Sequence, residues 1–276
     1  KKLLIGSEGT LAIITEIYLR LIPKPLFTRT LFMSFDSYDD AISILSIMKR
    51  SGIQPCIAEF MDPICIDAVS SYLNIDISFP NKAAHIIFQL DGNTEDLVNN
   101  DINRLLDLCK KLGSYDYEIV KENEKYDLLW SVRRAISPAL SAYSPSKRSE
   151  DITVPVASLG LFLSKMKEVS NLLGLLILGY GHLGDGNIHV NFLQMDLSDD
   201  EWIVKKDKAI KTLLTEAVAM GGTITGEHGV GLTKKKYLSL MFSKEDVQLM
   251  DQIKSSFDPN RILNPGKIWD LDNFGS

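Results

Sequence analysis

The fold is decided by residues 27–49, FTRTLFMSFDSYDDAISILSIMK, where a strand-like run is followed directly by a helix-like run. Residues 27–34 are rich in aromatic, aliphatic and threonine side chains, as strands are. Residues 38–49 place apolar side chains at helical spacing. The same succession of strand and helix then repeats at residues 56–60, 63–73, 84–90 and 94–112. Alternation at this length predicts a sheet with helices packed on one face.

The second half of the chain continues this mixed pattern. Residues 175–194 hold two apolar runs around a glycine-rich turn, which predicts a hairpin. The other predicted elements are a helix at 123–140, a strand at 151–154 and helices at 159–173, 199–220 and 244–257. Thr94 is the predicted N-cap of the helix 94–112. We therefore expect an α+β fold with an antiparallel, ferredoxin-like sheet and helices, followed by a C-terminal helical segment.

The N-terminal residues follow a different pattern. Leu3, Leu4 and Ile5 are typical of the end of a buried strand. Residues 11–21 alternate with a period near two until Pro23 and Pro25 stop the pattern. This predicts a strand that leaves one domain through a rigid linker. Because the chain begins with lysine and not methionine, we expect it to be a fragment of a longer protein.

Composition excludes several classes of protein. With 276 residues, 45% of them hydrophobic and 24% charged, the chain can bury a large core. A formal net charge of −6 leaves no overall positive field for nucleic acid. The cysteines Cys56, Cys65 and Cys109 lack C-x-x-C spacing, which argues against a disulfide scaffold, a zinc knuckle or an iron–sulfur cluster. The longest apolar runs are too short to cross a bilayer, so we expect a soluble or peripheral protein.

The segment 179–191, GYGHLGDGNIHVN, carries the most chemical information. Its first six residues match G-x-G-x-x-G, but a dinucleotide site needs a helix to start there, and a turn and strand follow instead. The segment does present His182 and His189 on either side of a tight turn. Two imidazoles are too few for a metal site, and Glu227 and His228 in the glycine-rich stretch 226–231 are the obvious further donors.

A packing explanation competes with this metal hypothesis. The chain has four histidines, and three of them lie in the two glycine-rich segments, which packing explains poorly. They could still be turn or core histidines satisfied by hydrogen bonds, and the residues alone leave both readings open. His85, isolated on an apolar strand, is predicted to be structural.

Four segments in order resemble the FAD-linked oxidases of the vanillyl-alcohol-oxidase type. These segments are residues 6–16 (GSEGTLAIITE), 182–189 (HLGDGNIH), 226–231 (GEHGVG) and 258–267 (DPNRILNPGK). Within that superfamily the likeness is nearest to the glycolate oxidase flavoprotein subunit, D-lactate dehydrogenase and D-2-hydroxyglutarate dehydrogenase. The likeness extends over nearly the whole chain.

The resemblance implies a role for individual residues. His182, His189 and Glu227 match the three protein ligands of a divalent metal, usually zinc, and His228 matches the base that takes the hydroxyl proton. The substrate-binding positions implied by the resemblance are Arg133, which clamps the carboxylate, Ser137, Asn191, and one of the two residues Lys147 and Arg148. Arg133 lies in a W-x-x-R segment that starts at Trp130.

The resemblance also implies where FAD is bound and how the chain divides. Residues 1–25 match the end of the FAD-binding domain, and residues 26–276 match the C-terminal cap and substrate domain, whose part from about 222 to 276 returns to the flavin domain. The implied FAD-contacting residues are Gly6, Ser7, Gly9, Ile14 and Asn264. Ala12 stands where the family commonly has glycine. The earlier pyrophosphate-binding loops are absent, so we expect this chain alone to hold FAD poorly.

The function implied by the resemblance is FAD-dependent oxidation of a D-2-hydroxy acid of the glycolate or D-lactate class to the 2-oxo acid, with metal assistance. The alternatives are a D-2-hydroxyglutarate dehydrogenase, a metal-dependent hydrolase that uses the same ligands to activate water, and a non-catalytic cap or assembly fragment. The implied partners are a respiratory electron acceptor or an iron–sulfur subunit, and a homodimer is a further expectation. These partners place the protein in the cytoplasm or at the inner face of a membrane.

Overall fold

The structure of the protein is a computed structural model that describes residues 1–76, 82–110, 115–120, 124–271 and 274. In these residues, one sheet contains seven strands. The strands are β1 (Phe27–Phe35), β2 (Ile57–Met61), β3 (Ala84–Gly92), β4 (Tyr115–Val120), β5 (Lys147–Thr153), β6 (Leu176–His182) and β7 (Asn187–Leu193). Their order across the sheet is β4-β1-β3-β2-β6-β7-β5, and each neighbouring pair is antiparallel.

The helices connect these strands and extend beyond them. They are α1 (Tyr38–Ser51), α2 (Pro63–Leu73), α3 (Glu95–Cys109), α4 (Glu124–Tyr143), α5 (Leu159–Leu173), α6 (Asp199–Ala219) and α7 (Lys244–Phe257). Four strands in the order β4-β1-β3-β2, with α1 and α3 as crossovers, form a ferredoxin-like unit, and β6, β7 and β5 extend its sheet. The predicted α+β class with an antiparallel sheet is confirmed.

Polar caps set where several helices begin. The Thr94 side chain accepts a hydrogen bond from the Leu97 amide, as predicted for the start of α3. Ser198 and Ser243 form capping boxes at the starts of α6 and α7. Each cap satisfies backbone amides that a helix leaves without intrahelical partners. The predicted bounds of α2, α5 and α7 coincide with the observed ones.

Helices cover both faces of the sheet, so the prediction of helices on one face was wrong. Leu31, Met33 and Phe35 point to a core that includes α1, α3, α5 and α6. Phe32 and Ile87 point the other way, to a second core with α2 and α4. The reason is visible in the sequence, because these strands are apolar at consecutive positions. A strand that is apolar on both sides requires cover on both sides.

The N-terminal residues do not form the predicted strands. Residues 3–5 lie in a turn, with Leu3 and Ile5 exposed, and residues 11–21 form no strand. Among the latter, Ile13, Ile17 and Leu19 are exposed. A period of two describes side-chain alternation, whereas a strand also needs a neighbouring strand for its backbone hydrogen bonds. No described strand lies beside this segment.

Two other differences concern element bounds. Strand β4 was not predicted, because its sequence YDYEIV is largely polar and exposed. Strand β5 begins at Lys147 and not at 151, which brings Lys147 and Arg148 into the sheet. The predicted residues 111, 112 and 123 lie outside the described residues. Of the helices that the structure describes, none is both long and apolar enough to span a membrane.

His85 is a buried histidine on β3, as expected for a structural residue. Its Nδ1 lies 2.8 Å from the Ser34 hydroxyl oxygen, and its ring stacks on Phe32 with centroids 5.6 Å apart. Burial lowers the pKa of this imidazole from 6.5 to about 4. The folded protein therefore holds His85 in its neutral form at neutral pH.

We predict that His85 makes the protein less stable as the pH falls. Between pH 6.5 and about 4 the unfolded chain binds a proton at His85 that the folded protein does not bind. The stabilisation is complete above pH 6.5 and is lost as the pH falls through this window, by up to about 3 kcal/mol. Urea denaturation from pH 8 to about pH 4 measures the effect. His85→Gln should show a shallower pH dependence, and identical slopes for both proteins would contradict the prediction.

Candidate metal and substrate site

The predicted site residues gather on one face of the sheet, where β2, β6, β7 and β5 lie side by side. Glu59 on β2 pairs with His182 on β6, and Tyr180 pairs with His189 on β7. On the far side of β7, His189 pairs with Asp151 of β5. Because side chains alternate between the faces of a sheet, these registers bring both histidines to the same face. The sequence could show the hairpin but not its neighbours.

His182, His189 and Glu227 form a cluster suited to a divalent metal. One ligand atom from each residue lies within 4.8 Å of the other two. The Glu227 Oε1 atom lies 3.4 Å from His189 Nε2 and 3.7 Å from His182 Nε2. Two atoms bound at about 2.05 Å to one tetrahedral ion lie about 3.3 Å apart. The donor set suits a divalent ion such as zinc, and the two spacings of 3.4 and 3.7 Å are close to that value.

The two imidazoles have different surroundings. Burial lowers the pKa of His189 to about 4, so its ring is neutral at pH 7 and can offer a lone pair. The pKa of His182 is raised, chiefly by its hydrogen bond with Glu59. The Glu59 Oε1 atom lies 2.5 Å from His182 Nδ1, which leaves Nε2 to face Glu227. Sequence reasoning missed Glu59, which is a lone acid in an otherwise apolar strand.

The loop that carries Glu227 and His228 is fixed by one buried carboxylate. Asp151 Oδ2 accepts hydrogen bonds from the amides of Gly226, Glu227 and His228 at 2.8, 2.7 and 2.9 Å. The Lys234 ammonium pairs with the same carboxylate. Burial alone would raise the pKa of Asp151, but these donors hold it well below its ordinary value. A fixed negative charge therefore sets the course of the loop backbone.

His228 lies at the edge of the cluster of His182, His189 and Glu227, with its side chain more than half exposed. Its ring stacks on that of His189, with centroids 5.4 Å apart. The Nδ1 atom lies 3.5 Å from Asp151 Oδ1, and Nε2 lies 3.9 Å from Glu227 Oε1. A proton on Nδ1 that faces Asp151 leaves the Nε2 lone pair free. This arrangement suits a general base better than a fourth metal ligand.

The α4 residues predicted to bind substrate lie over the same face. Arg133 donates from Nε and Nη2 to Glu59 Oε2 at 2.7 and 2.6 Å, and its guanidinium lies over the Tyr180 ring. Lys147 donates to the Ser137 carbonyl and hydroxyl oxygens at 2.9 and 3.2 Å. Burial lowers the pKa of Lys147. The structure thus brings Arg133, Ser137 and Lys147 together.

Arg148 is not brought to this group. It projects from the opposite face of β5 and pairs with Glu150, with Nε and Nη2 at 2.7 and 2.6 Å from Oε1. Of the two residues that the sequence left open, Lys147 and not Arg148 therefore lies with the other predicted substrate-binding residues. Asn191 lies fully buried on the same face as His189, to whose carbonyl oxygen its Nδ2 donates at 2.9 Å. Its buried Oδ1 has no hydrogen-bond partner within the described residues, so it can still accept a donor.

The predicted flavin-contacting residues come together at the N-terminal turn, with one exception. The Glu8 carboxylate accepts from the Val230 and Gly231 amides at 2.7 and 2.9 Å, and Asn264 Nδ2 donates to the Glu8 carbonyl oxygen at 2.5 Å. This docks the turn that contains Gly6, Ser7 and Gly9 beside the loop that carries Glu227 and His228. Ile14 is exposed in the segment without secondary structure and does not join them.

The turn leaves space that a cofactor could use. Gly6 and Gly9 adopt φ of 80° and 71°, and a Cβ at Gly6 would meet no atom within 4 Å. Beside the turn lies a largely apolar cavity of about 350 Å³, lined by residues that include Ile224, Val230 and Trp269. The open surface at these glycines would allow a close backbone contact with a cofactor.

The sequence of the chain matches a known family. The family model described as "FAD linked oxidases, C-terminal domain" matches residues 24–268. The chain therefore belongs to the FAD-linked oxidases and corresponds to their C-terminal domain.

Several curated relatives match nearly all of the chain. The glycolate oxidase subunit GlcD of Bacillus subtilis is 33% identical over 98% of this chain and 57% of the relative. A D-lactate dehydrogenase of Anaerostipes hadrus is 30% identical over 96% of this chain and 57% of the relative. A D-2-hydroxyglutarate dehydrogenase of Stutzerimonas stutzeri is 28% identical over 98% and 58%. The chain thus spans less than three fifths of the length of these relatives.

Solved structures show the same fold. A p-cresol methylhydroxylase with substrate bound superposes with a TM-score of 0.67 at 17% identity, covering 91% of this chain and 55% of that chain. The 4-ethylphenol oxidase of Gulosibacter chungangensis gives a TM-score of 0.63, also at 17% identity, covering 91% and 55%. At this identity the likeness concerns the fold.

We predict that Asp151→Asn loosens the loop that carries Glu227 and His228. An amide carries no charge to pair with the buried Lys234 ammonium, which then keeps the carbonyl oxygens of Asp151 and Ile224 and, among the acids that the structure describes around it, Glu150 at 3.5 Å. Breaking a buried pair of this kind costs about 3 kcal/mol or more. Urea denaturation measures the loss, and hydrogen exchange should become faster at the amides of residues 226–228. Asp246→Asn, at the exposed capping box of α7, serves as a control that should cost about 0.3 to 1 kcal/mol, because it removes only a negative charge near the helix N-terminus. Unchanged exchange in the loop would show that Asp151 does not hold it.

Proposed function

We propose that the protein is part of an FAD-dependent dehydrogenase that oxidises a D-2-hydroxy acid of the glycolate or D-lactate class to the 2-oxo acid. The observation that carries this proposal is the meeting of three groups on one sheet face. These are the cluster His182, His189 and Glu227, the base candidate His228 beside Asp151, and the cation Arg133. A 2-hydroxy acid offers a carboxylate next to a hydroxyl, which matches this set.

Arg133 is proposed to hold the substrate carboxylate. Glu59 accepts hydrogen bonds from Nε and Nη2 on one edge of the Arg133 guanidinium. The donors at the outer end of Arg133, on Nη1 and Nη2, therefore remain for a second carboxylate. A planar fork can hold such a carboxylate with two hydrogen bonds. Asn191 Oδ1, buried and without a hydrogen-bond partner among the described residues, is a further polar atom proposed to lie beside the substrate.

His228 is proposed to take the proton of the substrate hydroxyl at Nε2. Asp151 faces the Nδ1 atom and favours the positive charge that the ring gains. A divalent ion held by His182, His189 and Glu227 would lower the pKa of that hydroxyl. FAD, when bound against the turn of Gly6, Ser7 and Gly9 and against Asn264, would supply the acceptor for the hydride that leaves C2.

The comparisons support this proposal at the level of the family. Two of the relatives are named for glycolate and D-lactate, and one of them is named as a subunit. We therefore also propose a partner, which is an electron acceptor or an iron–sulfur subunit of respiratory type. The proposed location is the cytoplasm or the inner face of a membrane. We also propose a homodimer. The domain boundaries after residue 25 and near residue 222, between the FAD-binding and cap domains, remain proposals as well.

We predict that two substitutions separate carboxylate binding from proton removal. Arg133→Lys should raise KM about 10- to 100-fold, because an ammonium cannot reproduce the two-point contact. His228→Ala should instead lower kcat about 10²- to 10⁴-fold while leaving KM largely unchanged. The kcat defect should shrink at high pH, where the substrate hydroxyl loses its proton more readily. Dye-coupled oxidation of glycolate and D-lactate, with FAD bound, measures both parameters.

Metal content is the control for these assays. His228→Ala should retain its divalent ion, since the three proposed ligands are intact. Near-normal turnover together with loss of the metal would make His228 a ligand and leave Glu227 for the role of base. If FAD-loaded wild-type protein oxidises no 2-hydroxy acid at all, a non-catalytic assembly role is favoured instead.

A second substrate candidate, D-2-hydroxyglutarate, is favoured by Lys147. This cation faces the same side of the sheet as Arg133, and its described contacts are with oxygens of Ser137 and not with a carboxylate. Within the described residues, no acid lies within 4.0 Å of its ammonium. A cation without an acidic partner can receive the second carboxylate of a dicarboxylic substrate. One relative is named for this substrate.

We predict that Lys147→Met distinguishes the two substrate classes. If the substrate is a dicarboxylate, kcat/KM for D-2-hydroxyglutarate should fall about 10- to 100-fold, because a charge-assisted hydrogen bond is lost. Activity on D-lactate should change much less. Arg148→Met is the matched control, since Arg148 lies on the opposite face and should leave both activities unchanged. Equal losses for both substrates would argue against a second carboxylate at Lys147.

A further inference from the structure

Glu59 contacts two residues of the proposed site, His182 and Arg133, that lie far apart in the sequence. Its side chain is nearly buried, and each carboxylate oxygen has its own partner. Oε1 lies 2.5 Å from His182 Nδ1, and Oε2 accepts from Arg133 Nε and Nη2 at 2.7 and 2.6 Å. We propose that Glu59 is a positioning residue that prepares His182 for the metal and Arg133 for the substrate carboxylate at the same time. The proposal rests on the proposed function for the identity of those two ligands.

On the histidine side, Glu59 selects one tautomer. A carboxylate only accepts, so the His182 atom that faces it must carry a proton. With the proton on Nδ1, the lone pair of the neutral ring lies on Nε2, which is the nitrogen that faces Glu227 at 3.7 Å. A metal ligand whose other ring nitrogen donates to a carboxylate is also a stronger donor. The cross-strand pairing of Glu59 with His182 fixes this geometry in the sheet.

On the arginine side, Glu59 fixes the plane of the guanidinium. Its Oε2 uses the Nε–Nη2 edge, and the Tyr180 ring lies below, 4.8 Å from Cζ to the ring centroid. The guanidinium is thereby held in one orientation, and its outer donors remain free for a ligand. Holding a recognition group in place before binding reduces the entropy that binding must remove.

The charges give a second reason for a carboxylate at this position. Arg133 and a divalent ion on His182 are both positive and would repel each other in a partly buried site. Glu59 lies against both and reduces that repulsion. Glu59 would thereby allow Arg133 and a metal ion to lie close together, so that they can contact the adjacent carboxylate and hydroxyl of the proposed substrate.

An amide of the same shape cannot replace this carboxylate. In Glu59→Gln, a carbonyl oxygen that faces Arg133 turns the amide nitrogen towards His182, so Nδ1 must accept and the proton moves to Nε2. The opposite rotamer satisfies His182 but sets an amide NH₂ against the donors of Arg133. Glu59→Gln should therefore harm the zinc site even though it is nearly isosteric.

Zinc titration against a chromogenic chelator tests this inference in the purified protein. Wild type should bind about one Zn²⁺, His182→Ala should abolish this binding, and Glu59→Gln should weaken it about 10- to 100-fold. Adding Arg133→Met to Glu59→Gln should restore much of the affinity, because the amide oxygen is then free to accept from His182. A residue with only a structural role would instead show a further loss in the double variant.

The His182 tautomer provides a readout that does not depend on metal. Nitrogen NMR of the metal-free protein at about pH 9, above the ordinary imidazole pKa, should show the proton on Nδ1 in wild type and on Nε2 in Glu59→Gln. Asp251→Asn, which disrupts a two-point pair with Arg261 elsewhere, is the matched control and should change neither readout.

These outcomes separate the inference from the proposed function. If Glu59→Gln binds zinc as wild type does, or if His182 keeps the same tautomer, Glu59 does not position the histidine and the inference is overturned. If wild type binds no more zinc than His182→Ala, the metal-assisted function fails, and the tautomer measurement still decides the role of Glu59.

Discussion

The site depends most on the hydrogen bonds that three backbone amides donate to the Asp151 carboxylate. The amides of residues 226–228 belong to a glycine-rich loop with no regular secondary structure, and they converge on Oδ2 of one residue in the sheet. Lys234 compensates the charge from the other side. Such a loop would otherwise have many conformations, and a buried carboxylate with this many donors leaves it very few. Glu227 and His228 thereby acquire fixed positions against the two histidines of the hairpin.

The chain ends are secured to this loop by similar means. Glu8 accepts from the amides of Val230 and Gly231, just beyond His228. At the other end, the Ile268 amide donates to the Gly231 carbonyl oxygen at 2.9 Å, although Ile268 has a φ of 70° that a β-branched residue rarely adopts. Its side chain is buried in the main core, and that burial offsets the strain. Residues more than 200 positions apart thus meet at one six-residue stretch.

The sequence could predict the parts of this site that carry local signals. Glycine-flanked histidines, capping residues and apolar periods predicted the hairpin, most helices and the two histidines of the cluster, whereas Glu227 was chosen over His228 by the family resemblance. Glu59 and Asp151 had no such signal as anchoring residues, because their role comes from which strands become neighbours. The strand predicted at residues 11–21 failed for the same reason, since alternation does not supply a pairing partner. Lys147 and Arg148 were separable once β5 was seen to start at Lys147, because consecutive strand residues face opposite ways.

The distribution of charge across the sheet suggests why the fold tolerates so polar a face. Glu59, Arg133, Asp151 and Lys234 are largely removed from water, and each is paired within the described residues. Buried pairs of this kind add little net stability, and removing one partner costs several kcal/mol. The apolar core with α1, α3, α5 and α6 lies on the other side of the same strands and supplies the burial that such pairs do not. The paired charges at one end of the face covered by α2 and α4 therefore serve orientation more than stability.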